Sequence, residues 1–232
     1  MGAAAAAAVA QRIHSLLAGQ EFISMIFAAA PSQQEFLEAL RTDATIPWHR
    51  IHAFHMDEYL GLPADAPQGF GNFLEMRLFG IVPFGQVHYL NGQATDAAEE
   101  CTRYAQLLKD GTDIVCMGVG ENTHIAFNDP HVADFNDPVL VKVVDLDEAC
   151  RRQQVNDGCF ATPEEVPTHA LTLTVPALFR GKYIYCMVPG PAKAAAIRHT
   201  LQSPVSEQYP STILRTHPHA ELYLDKDSAA LL

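Results

Sequence analysis

The chain has 232 residues, 48% of them hydrophobic and 18% charged. That is enough apolar material for a sizeable core, which excludes a disordered chain, and no apolar run approaches the roughly 18 residues needed to cross a bilayer. Fifteen Lys and Arg against 27 Asp and Glu give a net charge of −12, which repels phosphate backbones and, with no basic patch in the sequence, excludes nucleic acid as a partner. An anionic small molecule stays possible, because a few fixed donors inside a pocket outweigh a distant surface field. The cysteines, Cys101, Cys116, Cys150, Cys159 and Cys186, are odd in number, scattered and free of any C-x-x-C pair. They point to a reducing cytoplasm rather than to a disulfide framework or a zinc site. Met1-Gly2 and the six alanines that follow lack the basic and long apolar regions of a signal peptide.

In chain order, Val9, Ile13, Leu16 and Leu17 repeat at helical spacing within Ala3–Leu17. The run from Phe22 to Ala28 reads as a buried strand, and Pro31 opens a helix through Leu40, a place where its missing N–H does no harm. Ile51–Met56 is the next strand, and the Pro-, Ala- and Gly-rich stretch from Gly61 to Gln68 is a loop. Phe70, Phe73, Leu74, Leu78 and Phe79 mark another helix, Val87–Leu90 a short strand, Ala94–Lys109 a helix, and Asp113–Met117 a strand. Val139–Val144, Ala170–Val175, Lys182–Val188 and Ala220–Leu224 read as strands and Lys193–Leu201 as a helix, while Leu146–Pro167 gives no clear period. Strands alternating with helices predict an α/β fold. No repeat, linker or charge block divides the chain, so residues 1–232 are expected to form one domain: a doubly wound, mostly parallel, Rossmann-like sheet with helices on both faces.

Ligands of such sheets bind beyond the carboxyl ends of the strands, so the residues just after each strand are the ones to read. Asp57 and Glu58 follow a buried strand, where partial desolvation raises a carboxyl toward the working range of a general base; a turn or capping acid is the alternative. The stretch Gly118-Val-Gly-Glu-Asn-Thr-His-Ile-Ala-Phe-Asn-Asp-Pro130 gathers Asn122, His124 and Asp129 in one loop. Histidine moves protons near neutral pH, and neighbouring acids fix its tautomer. Ser32 and Lys193 each follow a strand at a helix start, where exposed N–H groups attract phosphate. A lysine there is unfavourable for the helix itself, which singles out Lys193. His49, His52 and His55 are three apart, so on a strand they face opposite sides and no one metal takes all three. No nucleophile elbow, Walker loop or complete dinucleotide fingerprint is present.

Phe54-His-Met-Asp-Glu-Tyr-Leu-Gly-Leu-Pro63 resembles the F-N-M-D-E-Y-x-G-L motif of the glucosamine-6-phosphate deaminases (isomerases), and Gly118–Pro130 resembles their G-x-G-x-D-G-H-I-A-F-N-E-P motif. Gly190-x-x-Lys193-Ala and Leu214-x-x-His217-Pro218-x-Ala220 are similar to two looser motifs of the same family, which shares its superfamily with the 6-phosphogluconolactonases. The resemblance implies conversion of an amino-sugar phosphate to fructose 6-phosphate and ammonia, with no cofactor and no metal, in a monomer or small homo-oligomer. It implies Asp57 as the base that moves a proton between C2 and C1, His124 as the ring-opening group with Asn122 beside it, and Asp129 as the group that orients His124. For substrate and phosphate it implies Lys193, Ser32, Gln33 and Glu58, with Arg151 or Arg152 in the neighbourhood of the deaminases' phosphate-binding arginine.

The departures are specific. Asn122 replaces an aspartate, so it accepts a hydrogen bond without stabilising an imidazolium by charge. Thr123 replaces a glycine, which is strained if that position needs a positive φ. Ala28-Ala-Ala-Pro31 replaces a Gly-Gly-Thr-Pro phosphate turn, and the chain stops before the C-terminal extension of the allosteric members, which predicts hyperbolic kinetics. Glu121 leans toward the lactonases; Ile125–Asn128 and Met56–Tyr59 lean back to the deaminases. A lactonase-like hydrolase or another sugar-phosphate isomerase on this scaffold is therefore the first alternative, and a non-catalytic sugar-phosphate sensor the second.

Overall fold

A computed structural model describes all of residues 1–232. The strands are β1 (Ile23–Phe27), β2 (Ile51–His55), β3 (Asp57–Tyr59), β4 (Gln86–His88), β5 (Ile114–Met117), β6 (Val141–Asp145), β7 (His169–Leu173), β8 (Tyr183–Val188) and β9 (Ala220–Leu224). The α-helices are α1 (Gly2–Leu17), α2 (Gln34–Arg41), α3 (Phe70–Leu74), α4 (Ala97–Leu107), α5 (Glu148–Asn156), α6 (Val175–Phe179) and α7 (Ala194–Gln202). No helix is long and apolar enough to cross a membrane.

Six strands form a central sheet in the order β4-β2-β1-β5-β8-β9, every pair of it parallel. Such a sheet must be covered on both faces, and its strands show why. Met25 and Phe27 of β1, Cys116 of β5, and Tyr185 and Met187 of β8 enter one apolar cluster with Val9 and Ile13 of α1 and Phe36, Leu37 and Leu40 of α2. The alternating residues Ile26, Val115, Met117, Ile184, Cys186 and Val188 enter the other, with Tyr104 of α4, Leu178 of α6 and Ile197 of α7. The period-2 alternation of a strand thus feeds two cores, with helices on both sides, as the apolar runs predicted.

From β1 the chain winds outward to β2 and β4, then returns to the other side of β1 for β5, β8 and β9. The carboxyl ends of β1 and β5 therefore diverge at a topological switch point, which leaves a crevice for a ligand.

Two strands read from the sequence lie elsewhere. β7 pairs with β6 on one side and with β3 on the other in a separate antiparallel sheet of order β3-β7-β6. The chain leaving β2 changes sheets across Met56, whose carbonyl accepts from Leu173 N at 2.8 Å. The ambiguous stretch after Leu146 contains α5. Asp147 caps it by accepting from Cys150 N, and its buried residues are Cys150, Gln153 and Gln154. A helix that buries glutamines shows no hydropathy period, which is why the sequence concealed it.

Candidate active site

One cleft opens at the switch point, where ligands of such sheets bind. Ala28–Ala30, Ser32 and Gln33 line it after β1, Met56 and Asp57 after β2, Gly118–Gly120 and His124 after β5, and Lys193 after β8. Helix α5 closes one side with Gln153, Gln154 and Asp157.

Asp57 and Glu58 are neighbours on β3, so their side chains take opposite faces. Asp57 lines the cleft and is nearly buried. Burial, and then repulsion from Glu58, push its carboxyl well above the ordinary 3.8, the shift expected of a general base held out of water. Its backbone is fixed from behind by His55, fully buried, whose Nδ1 donates to Asp57 O at 2.9 Å while Nε2 accepts from Leu90 N at 2.9 Å. Burial lowers the His55 pKa to about 4, so this ring is a neutral clamp at physiological pH. Both of its ring nitrogens are thereby taken up by backbone groups.

Glu58 does not reach the cleft. Its carboxylate accepts from Tyr59 N, Phe70 N and Gly71 N at 2.9, 2.9 and 2.8 Å. It holds the start of α3 against β3, so the expectation of a substrate contact from Glu58 is corrected to a structural role.

The loop after β5 gathers an imidazole, an amide and a carboxylate. His124 Nδ1 lies 2.7 Å from Asn122 Oδ1 and 2.9 Å from Asp129 Oδ1, and Asn122 Nδ2 donates to the same Asp129 oxygen at 2.9 Å. With two acceptors around it, Nδ1 carries the hydrogen, and Nε2 keeps its lone pair. Burial pushes Asp129 up, but the attraction and hydrogen bond of His124 and the hydrogen bond of Asn122 outweigh it, and the carboxyl sits below its ordinary value. The four residues between His124 and Asp129 are thus folded so that a full charge backs the imidazole.

The two glycines of this loop lie close to side chains of the cleft, Gly120 directly against the His124 ring. A Cβ on Gly118 would lie 2.9 Å from Gln33 Nε2, and one on Gly120 would lie 2.2 Å from Cε1 of His124. Thr123 adopts φ 73° and Ala126 φ 47°, so the position that departs from glycine is indeed a left-handed one. The loop is held there by Asn128 Nδ2, which donates to Ile125 O and Leu173 O at 2.9 and 2.8 Å, and by Phe127 N, which donates to Thr172 Oγ1 at 3.1 Å.

At the opposite wall, Lys193 is only 6% exposed. No carboxylate forms an ion pair with it; burial lowers its pKa, partly offset by Asp157 and Glu121. A buried ammonium without an ion pair, between the first turns that follow β1 and β8, keeps its donors unspent, an arrangement that favours an anion. Gln33 is buried beside it in the cleft and donates to Met187 O at 3.1 Å and Ser32 Oγ at 3.3 Å. Arg151 and Arg152 are not brought here. Arg151 donates to the carbonyl of Pro163 and Arg152 pairs with Glu148 on the exposed side of α5. The face of α5 one step further round carries Gln153 and Gln154 into the cleft. These two, with Asp157, were missed, because an amide pair in a segment without hydropathy period gives no signal of its own.

Fold and cleft together define an α/β protein whose switch point gathers a buried carboxyl, an imidazole backed by a carboxylate and an ammonium without an ion pair. The chain belongs to the family of glucosamine-6-phosphate isomerases/6-phosphogluconolactonase, whose sequence profile matches residues 1–224. A glucosamine-6-phosphate deaminase of Bacillus cereus (strain B4264) is 36% identical over 183 residues, 78% of this chain and 68% of that protein. The solved structure of a monomeric glucosamine-6-phosphate deaminase superposes with a TM-score of 0.90 at 28% identity, covering all of this chain and 95% of the other. A 6-phosphogluconolactonase from Trypanosoma brucei superposes over the whole chain and 96% of its own, with a TM-score of 0.79 at 17% identity, and shares the fold.

Proposed function

We propose that this protein is a glucosamine-6-phosphate deaminase, an aldose–ketose isomerase that releases ammonia from an amino-sugar phosphate. The observation that carries the reading is the convergence of a proton-poised carboxyl, a carboxylate-backed imidazole and a partnerless buried ammonium on one cleft. The phosphate lies against Lys193, with Ser32 and Gln33 beside it. His124 Nε2 takes a proton from the anomeric hydroxyl and returns one to the ring oxygen, which opens the pyranose. Asp57 then moves the proton from C2 to C1, which leaves an imine at C2; water adds to that carbon and ammonia departs, leaving the ketone. Two proton-transfer groups are needed because the ring oxygen and C2 are different centres. The reading needs no cofactor, and the match to a monomeric deaminase supports a monomer. The free, scattered cysteines support a reducing, cytoplasmic setting for an enzyme of amino-sugar metabolism.

Ammonia release measured with glucosamine 6-phosphate and galactosamine 6-phosphate, beside lactone hydrolysis of 6-phosphogluconolactone, tests the assignment. Ammonia from one amino sugar is the expected result. Lactone hydrolysis without ammonia release moves the protein to the lactonase branch, and binding without any turnover makes it a sensor.

A further inference from the structure

One buried cluster beneath the cleft is only partly used by the chemistry above. Asp129 is fully buried and spends one oxygen, Oδ1, on His124 and Asn122, and the Cys150 thiol faces the same carboxylate. Cys150, 1% exposed on the first turn of α5, completes the cluster. One donor atom each from His124, Asp129 and Cys150 lies within 4.8 Å of the others. We propose that His124, Asp129 and Cys150 form a binding site for a thiophilic divalent cation, zinc or cadmium, and that its occupation switches the enzyme off.

The donor set is the argument for the ion class. Thiolate, imidazole and carboxylate are the ligands zinc takes, at about 2.3, 2.0 and 2.1 Å, so donor pairs around one ion sit roughly 3.3–3.8 Å apart. The His124–Asp129 pair, at 2.9 Å, needs to open by less than an ångström. Magnesium and calcium prefer all-oxygen ligands and are excluded by the thiol. Access is built in as well. Asp129 belongs to a second, outer cluster with His131 and Asp147, whose donors also lie within 4.8 Å of one another. His131 is exposed and Asp147 half-buried, and Asp147 also caps α5 at Cys150 N, 2.6 Å away. A cation therefore meets two ligands at the surface before reaching the inner three through the shared carboxylate.

Binding balances simply. Cys150 gives its thiol proton to solvent and its sulfur to the metal; His124 gives Nδ1 to the metal and shifts its hydrogen to Nε2. No electron moves. The ring then presents N–H to the cleft where it presented a lone pair, and cannot accept a proton from a sugar hydroxyl. This inhibitory half rests on the proposed role of His124; the binding half does not.

The whole protein is titrated with cadmium chloride and the ultraviolet thiolate-to-cadmium band followed, with zinc chloride tested in parallel on turnover. One cadmium per chain with a thiolate band is expected, together with loss of turnover at stoichiometric zinc that a chelator reverses and excess magnesium does not imitate. Cys150→Ala and Cys150→Ser, checked for folding by thermal melting, should lose the band and keep their own turnover in zinc that stops the wild type. A wild type without the band, or variants that retain it, overturns the site. If neither variant folds, zinc-edge X-ray absorption of the wild-type protein decides: one sulfur among nitrogen and oxygen neighbours supports the site, and a shell without sulfur overturns it. Cadmium bound through Cys150 with turnover intact overturns the inhibition and counts against His124 as the proton carrier, while leaving the site standing.

Discussion

Asp57 and Glu58 show how much one step along a strand decides. Both are buried acids in the same motif, yet one faces the cleft and the other satisfies three backbone N–H groups, one on its own strand and two at the start of α3. Replacing Asp57 by Asn keeps its shape and removes the base, so turnover should fall by about 10²–10⁴-fold with the fold intact; near-normal turnover in a steady-state assay would falsify its assignment. Lys193→Ala should act on binding instead, because phosphate contacts are the same in ground and transition states. Loss of one charged hydrogen bond, about 1.5–3 kcal/mol, corresponds to a rise in KM of roughly 10- to 100-fold with kcat little changed; a wild type that binds phosphorylated and unphosphorylated sugar equally well contradicts the subsite. Around His124 the contest is between a dipole and a charge. Asn122 Oδ1 and Asp129 Oδ1 share Nδ1 at 2.7 and 2.9 Å, and only Asp129 stabilises an imidazolium by charge. Asp129→Asn is therefore expected to depress turnover more than Asn122→Ala. The reverse order across a pH series would mean that the amide, not the acid, governs the ring.

At the scale of elements, the segments legible in the sequence were those whose chemistry is contiguous. The loop from Gly118 to Pro130 could be read as a unit because its proton carrier, its acid and the glycines that make room for it lie within one stretch of chain. Helix α5 could not, because it contributes to the cleft through Gln153 and Gln154 and so has no apolar stripe. Nor could the orientation of Glu58 or the closeness of Cys150 to His124, since both depend on pairings between segments far apart in the chain. The departure from glycine at Thr123 has a measurable consequence. A non-glycine residue at φ 73° carries strain of about 1–3 kcal/mol, and its buried Oγ1 finds no partner. Thr123→Gly relieves both and adds unfolded-state entropy of about 0.5–1 kcal/mol. The variant should melt no lower than wild type, with His124 and turnover undisturbed. A melting point several degrees lower would show that packing of the threonine outweighs its backbone.

For the whole molecule, the patterning that fixed the central sheet was visible early, because alternating strand residues feed two cores of different helices. The second sheet was not, because β6 and β7 have the same β-branched composition as central strands, and only pairing distinguishes them. That second sheet carries Asp57 off the end of β2 and into a dry position, so catalysis and stability oppose each other at one residue. The folded carboxyl titrates well above 3.8. Over the window between the unfolded and folded values, the native state holds a proton that the unfolded chain has released. Stability from this group is therefore intact below about pH 4 and declines as pH rises toward the folded pKa. Asn carries no charge in either state and escapes the penalty. Asp57→Asn should match the wild type in thermal stability near pH 4 and exceed it increasingly at higher pH, by at most about 1.4 kcal/mol per pH unit until the folded pKa is passed. Asp129 works in the opposite direction, since its lowered carboxyl stabilises the fold above its ordinary range and loses that contribution as pH falls. Melting curves of both Asn variants across pH separate the two. If Asp57→Asn gains nothing over the wild type as pH rises, the carboxyl is not held in a desolvated state, and the case for it as the poised base fails on stability grounds alone.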